Sequence, residues 1–338
     1  MRRTLRIALG LLVAAVAVAF VLVLPHWLSD ARAAEFARAG CFFIAILGLN
    51  LLTGYTGQIS LGHGALMAIG AYTTAILTAD HGMRDLWTLP LAGLVAMGAG
   101  FLLGLPALRL SGLYLALATF AFAVAMPSLL KKFSHFTGGS QGINLFDEAL
   151  TRSTGALGPV HVLGRSVATN DFLYYLTWGT GLLLAAAAWL LVRGRWGRAF
   201  RALRDSEVAA ASFGVNTGIY KTLAFALSGF YAGVAGGLFV LVSNWFVNPQ
   251  SFYFDKSLLL VVGAVVGGLG SLAGLAAGAL FVEFVPSWAA NLSRSPGVPS
   301  VFFGAAIVLV MILLPSGLGG LLRRLTDPLT SRLYTRSQ

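Results

Sequence analysis

The sequence is short of charge, of cysteine and of every compact catalytic motif, and each shortage removes a class of protein. Charged residues make up 10% of the 338 positions and hydrophobic ones 57%, with a mean hydropathy of +0.82, which lies outside the soluble globular range. Cys41 is the single cysteine, so a disulfide or a cysteine metal cluster within the chain is excluded. No G-x-x-x-x-G-K-[ST] occurs, and none of Lys131, Lys132, Lys221 and Lys256 follows a glycine, so the chain has no P-loop to cradle ATP phosphates. No H-E-x-x-H occurs, and His26, His63, His81, His135 and His161 stand singly, without the clustering a metal needs. Ser60, Ser111 and Ser228 lie in no G-x-S-x-G elbow. No residue is therefore assigned to catalysis, to a metal or to a cofactor held by this chain.

What the sequence has is long apolar runs. Its length holds roughly ten spans of about 20 residues with their connections, leaving no room for a sizeable soluble domain. The expectation is an all-α polytopic membrane protein, one transmembrane domain over residues 1–338, with glycine-rich breaks and with both termini cytoplasmic.

Charge sets the orientation. The longest charged segment between spans is 193–221, where Arg193, Arg195, Arg198, Arg201, Arg204 and Lys221 face only Asp205 and Glu207. With Arg2, Arg3, Arg6 and Arg109, and with the basic tail over 316–338, it falls on one side, the cytoplasmic one by the positive-inside rule. The formal net charge of +11 is thus concentrated on one membrane face, which argues against nucleic acid as a partner. Arg201 and Asp205 at i,i+4, the Ala-rich run after Glu207 and the stop at Gly214 predict one short amphipathic helix.

In chain order, MRRTLR and Ile7–Leu24 read as a retained first span rather than a cleaved signal. Spans follow over about 36–52, 65–78, 89–108, 113–130 and 171–192. The long polar connection 133–170, with FTGGSQGIN, Asp147 and Glu148, is external and suits a partner surface or a lid. Gly229, Gly233 and Gly237 give the span 223–243 a small-residue face for close packing. Passes over 257–266, 275–286 and 301–314 complete the count.

Two stretches interrupt this pattern. TGYTGQISLGHG (Thr53–Gly64) and GGLGSLAG (Gly267–Gly274) are glycine-rich yet carry no Lys, Arg, Asp or Glu, which suggests backbone broken within or near the membrane. A broken segment presents Tyr55, Gln58, Ser60 and His63 to a pathway, next to Asn50; a tight turn between spans is the alternative. Glu283 stands in apolar surroundings, where an ionisable group faces an interior or a cavity unless it reaches the interface.

These residues resemble a known family. NLLTGYTGQISLGHGALMAIGAY (Asn50–Tyr72), TGGSQGI (Thr137–Ile143), GRAFRALRDSEVAAASFGVNTGIYK (Gly197–Lys221), GGLGSLAG and LLPSGLGGLL (Leu313–Leu322) look like the LivM-type permeases of branched-chain amino acid ABC importers. The resemblance implies a multi-pass protein of the cell (inner) membrane that pairs with a second related permease. It also implies two ATP-binding subunits, which hold the ATP, and an external substrate-binding protein. Arg198, Arg201, Arg204, Asp205, Glu207, Ala209, Ala210 and Gly214 would then belong to the ATPase-coupling segment, and Glu207, Ala209, Ala210 and Gly214 resemble the EAA…G core of importer permeases. The later I-x-L-P part of that pattern is missing. Permeases for urea and short-chain amides look similar, and an ion-coupled carrier using His63 and Glu283 is the rival from another class.

Overall fold

Uninterrupted apolar sequence sets the helices of this protein, and glycine sets how closely they approach. The computed structural model describes residues 29–81, 85–145, 160–162, 165–167, 169–243, 245–272, 274–292, 298–314 and 317–320. The expected first span 7–24, Arg2, Arg3, Arg6, Asp147, Glu148 and the tail arginines beyond residue 320 lie outside the described residues.

The helices are α1 (Asp30–Leu49, prolonged by a π-helical turn, Asn50–Tyr55), α2 (His63–His81), α3 (Asp85–Gly104) and α4 (Gly112–Lys132). After them come a single helical turn (Ser134–Thr137), α5 (Thr169–Arg193), α6 (Arg195–Asp205), α7 (Glu207–Ser212), α8 (Thr217–Val242), α9 (Phe254–Gly267), α10 (Leu275–Leu292) and α11 (Val298–Leu313). Among the described residues six helical stretches are long and apolar enough to cross a membrane, in order Asp30–Tyr55, Leu86–Leu108, Gly112–Lys132, Asn170–Arg193, Thr217–Val242 and Val301–Gly320, and Leu275–Ala290 is a shorter apolar helix. Among the described residues the regular structure is helical but for two small antiparallel ribbons, β1 (Ile143–Asn144) with β4 (Phe246–Val247) and β2 (Val160–Val162) with β3 (Arg165–Val167).

Helices α1 and α8 form the centre and are buried along most of their length, whereas α11 is largely exposed. Without water between spans there is little hydrophobic drive to bring helices together, so close packing supplies the attraction. The glycines of α8 provide it. Gly229 lies against the backbone of Ala96 and Gly100 in α3, Gly233 against Ala92 and Gly70, and Gly236 against the Met67 carbonyl in α2. At each of these three positions a Cβ would collide with a neighbouring carbonyl oxygen.

With 26 residues, α8 is about 39 Å long and separates two ends. The basic end carries α6 and α7; the sheet end carries the β1–β4 ribbon, which joins the TGGSQGI stretch to the chain leaving α8.

A packing prediction follows from the glycine contacts. Gly236→Val forces α2 away from α8 and lowers the stability of the purified protein by about 1–3 kcal/mol, read as a drop in Tm. Gly98→Val, at an exposed site where a Cβ meets nothing within 4 Å, leaves Tm unchanged.

Candidate functional site

Helix α1 does not end in a surface turn. Its last residues widen into the π-helical turn, Gly57 takes a left-handed φ of 72°, and non-helical chain continues to the start of α2 at His63. Side chains satisfy the backbone groups this opens: the Thr56 hydroxyl donates to the Leu52 carbonyl and the Thr53 hydroxyl to the Gln58 carbonyl at 3.0 Å. The Leu61 N–H donates to Thr119 Oγ1 of α4 at 3.0 Å and the Gly64 N–H to Ser257 Oγ of α9 at 2.9 Å. Broken backbone inside a bundle persists only with such partners, so the stretch runs back into the protein and is not a tight turn between spans.

The second break joins α9 to α10, with Gly268 at φ 101° and Gly270 at φ 77°. One fully buried side chain links it to the first. The Asn50 amide donates from Nδ2 to the Ser271 carbonyl at 3.1 Å and accepts at Oδ1 from the Gly270 N–H at 2.8 Å. Gly54 packs directly against Gly270, while Gly317 and Gly319 press on Gly267, Gly268 and Ser271. Both breaks and the chain after α11 therefore converge at the basic end.

The segment expected as one amphipathic helix is two helices. Ser206 is extended (φ −164°, ψ 118°) and caps α7, its Oγ accepting from the Ala209 N–H at 3.2 Å. This cap replaces helix continuation, and no ion pair joins Arg201 to Asp205 among the described residues. The stop at Gly214 holds: its φ is 80°, its N–H donates to the Ala211 carbonyl at 2.9 Å, and the Val215 N–H donates to the Ala210 carbonyl at 3.0 Å. That pair of bonds closes the helix end.

From these two helices, two side chains reach the breaks. Arg204 donates from Nη1 to the Gly54 carbonyl, and its guanidinium lies beside Gly270, so it touches both breaks at once. Glu207 Oε1 pairs with Lys221 Nζ at 2.6 Å and accepts from Gln58 Nε2 at 3.2 Å. Lys221, at the start of α8 and buried, also donates to the Ala107 carbonyl at 3.3 Å. Gln58, read from sequence as a pathway residue, and Glu207, read as a coupling residue, thus share one hydrogen bond.

The remaining sequence-derived residues divide by place. Tyr55 and Ser60 are buried in the first break, Ser60 accepting from the Gly62 N–H at 3.4 Å. His63 is fully buried between Gly48 of α1 and Ser228 of α8, whose Oγ is 3.4 Å from Nδ1, and so lies in helix packing. Glu283 stands apart from this junction, its Oε1 accepting from Arg38 Nε of α1 at 2.8 Å. Arg198, Arg201, Asp205, Ala209 and Gly214 are exposed, and Ala210 is buried.

Sequence reasoning missed four residues here. Arg38 is a charge within an apolar helix, the pattern already used for Glu283, and Lys221 was weighed only for its charge. Val208 and Phe213 stand 80% and 88% exposed on and beside α7, two large apolar groups presented by a short helix. Among the described residues no group of three or more His, Cys, Asp or Glu side chains is placed to hold a metal ion.

Comparison with known proteins supplies the family. A family described as the permease component of the branched-chain amino acid transport system matches residues 33–311. The high-affinity branched-chain amino acid transport system permease protein LivM of Salmonella typhimurium is 38% identical over 292 residues, 82% of this chain and 67% of the relative. The LivM protein of Escherichia coli K12 is 35% identical over 290 residues, with the same coverage. The LivH permease of S. typhimurium is 25% identical over 289 residues, covering 82% of this chain and 91% of that protein. No solved structure matches. A family match that runs from the first turn of α1 to the last turn of α11 takes in both breaks and the helices between them: the chain belongs to the permease-component family of branched-chain amino acid transport systems.

Proposed function

We propose that this chain is the membrane-embedded permease subunit of an inner-membrane ABC importer for branched-chain amino acids. It crosses the membrane in about ten segments with both termini inside, and forms the translocation path with a second, related permease. Two ATP-binding subunits at the basic end hold and hydrolyse ATP, and an external binding protein delivers substrate at the sheet end. The names of the LivM and LivH relatives support the substrate and the pairing. The cluster of arginines on α6 supports the cytoplasmic placement of that end.

The observation that carries the mechanism is the grip of Arg204 and Glu207 on the two breaks. When the ATP-binding subunits close, they push on α6 and α7; Arg204 moves the Gly54 and Gly270 backbones, and Glu207 moves Gln58 and the base of α8. The breaks respond because they lack a continuous helical ladder, and alternating access follows from their displacement. Asn50 makes both breaks move together, while Tyr55, Gln58 and Ser60 add polar groups along the path. Val208 and Phe213 supply the apolar contact that seats α7 in a groove of the ATP-binding subunit. The ion-coupled alternative has less support, since His63 is enclosed in helix packing and Glu283 is paired with Arg38.

Two outcomes are expected. Glu207→Lys sets two ammonium groups against each other beside the buried Lys221 and lowers ATP-driven leucine uptake in proteoliposomes at least about tenfold, the effect of leaving an enclosed charge without its partner, with membrane insertion intact. The swap Glu207→Lys with Lys221→Glu restores part of it; wild-type uptake in the single variant would sink the assignment. Phe213→Asp removes an apolar anchor and reduces co-purification of the ATP-binding subunits from gently solubilised membranes, while the second permease is still recovered. Equal recovery of the ATP-binding subunits would place their docking elsewhere.

A further inference from the structure

Toward the sheet end, α9 begins at Phe254 against Phe120 of α4, the ring centroids 4.6 Å apart. Lys256 follows within its first turn and turns its ammonium between two helices. Its Nζ lies 5.1 Å from the ring centroid of Phe42 in α1 and 4.8 Å from that of Phe239 in α8. Two ring faces attract a cation, but they offer no oxygen. Lys256 takes part in none of the ion pairs found among the described residues.

Phe42 stands one helical turn from Arg38 on α1, so the Arg38–Glu283 pair adjoins the rings that hold that ammonium. Glu283 uses Oε1 for Arg38, and Oε2 is engaged by no hydrogen bond among the described residues. Among the described residues a cation without an acceptor and a carboxylate oxygen without a donor therefore sit in one cluster, and neither atom is fully enclosed by the fold, so both remain reachable by a ligand. A zwitterion answers both and leaves the net charge unchanged.

We infer that Lys256 and Glu283 form a binding site for an aliphatic amino acid, Lys256 taking the carboxylate, Glu283 Oε2 the ammonium, and Phe42 and Phe239 the side chain. This rests on the amino acid reading above and adds to it where along the chain the substrate is held. Phe239 also meets Phe252 at 6.0 Å, in the turn that follows β4, so the aromatic wall is anchored to the ribbon at which substrate arrives. A phospholipid phosphate is the other anion available in a membrane. Lys256 faces the two central, mostly buried helices rather than exposed α11, which favours the soluble zwitterion.

The test uses the complete transporter, both permeases with ATP-binding subunits and binding protein, in phosphatidylcholine liposomes. ATP-driven uptake of leucine is compared for wild type, Lys256→Met and Lys256→Arg, and photo-leucine adducts are mapped by mass spectrometry. Lys256→Met is expected to lower uptake at least tenfold and Lys256→Arg to keep at least a third. Wild-type adducts are expected on residues 39–43 and 237–242, displaced by leucine and missing in Lys256→Met. Uptake by Lys256→Met within twofold of wild type overturns the site while leaving the amino acid reading in place. A defect that appears only when phosphatidylglycerol is present assigns Lys256 to a lipid phosphate and also overturns it. Absence of leucine uptake by the wild type overturns the amino acid reading and the site with it. Should Lys256→Met fail to assemble on gel filtration, the wild-type map decides, and a lack of leucine-displaceable adducts on those two segments overturns the site.

Discussion

Backbone broken inside a membrane bundle must find its hydrogen-bond partners within the protein, and in this chain the Asn50 amide, at the start of the first break, supplies two of them to the second. Its donor and acceptor both go to backbone groups of the Gly267–Gly274 stretch, while its own residue opens the π-helical turn of the first break. Each bond of this kind contributes roughly 1 kcal/mol net, and leaving either partner unpaired costs about 1–3 kcal/mol. The rest of the basic end depends on this clasp. Gly54 can approach Gly270 only because neither carries a Cβ, and Arg204 finds both breaks side by side because Asn50 has brought them there.

The same economy of small residues governs the bundle. Helix α8 is an axle whose glycines admit α2 and α3 to backbone contact, and its foot is fixed by Lys221 between Glu207 and Ala107. Helix α7 is therefore tied at two places, the foot of the central helix and the non-helical chain around Gln58. Packed glycine helices thus stand at one end of α8 and interrupted backbone at the other.

Much of this is legible in the sequence. The apolar runs locate the helices to within a few residues, because in a membrane an uninterrupted apolar run has little alternative to helix. Glycine and hydroxyl residues without charge mark both breaks for the same reason. The contact between the breaks is not legible, since it depends on hydrogen bonds between residues 220 or more apart in sequence. The division of α6 from α7 escaped because the Arg201–Asp205 spacing suggests continuity, whereas the Ser206 cap interrupts it. The hydrogen bond between Gln58 and Glu207, 149 residues apart, is likewise invisible in the sequence. Arg38 shows the converse: the sequence displays the charge, and only the fold supplies Glu283 as its partner.

The central claim is that the α6–α7 segment and the two breaks move as one body. Spin labels at Ala211→Cys on α7 and Leu269→Cys in the second break, both exposed positions, test it with Cys41, buried and free in the native chain, replaced by alanine. Pulsed dipolar distances are recorded in the assembled transporter without nucleotide and with ATP trapped by vanadate. The account predicts an unchanged 211–269 distance in both states, with a changed distance from Ala211→Cys to a label at exposed Phe246→Cys on the β4 ribbon. A 211–269 distance that shifts by about one helical turn, ~5 Å, while the 211–246 distance stays fixed, would mean that the segment slides past the breaks, contradicting the account.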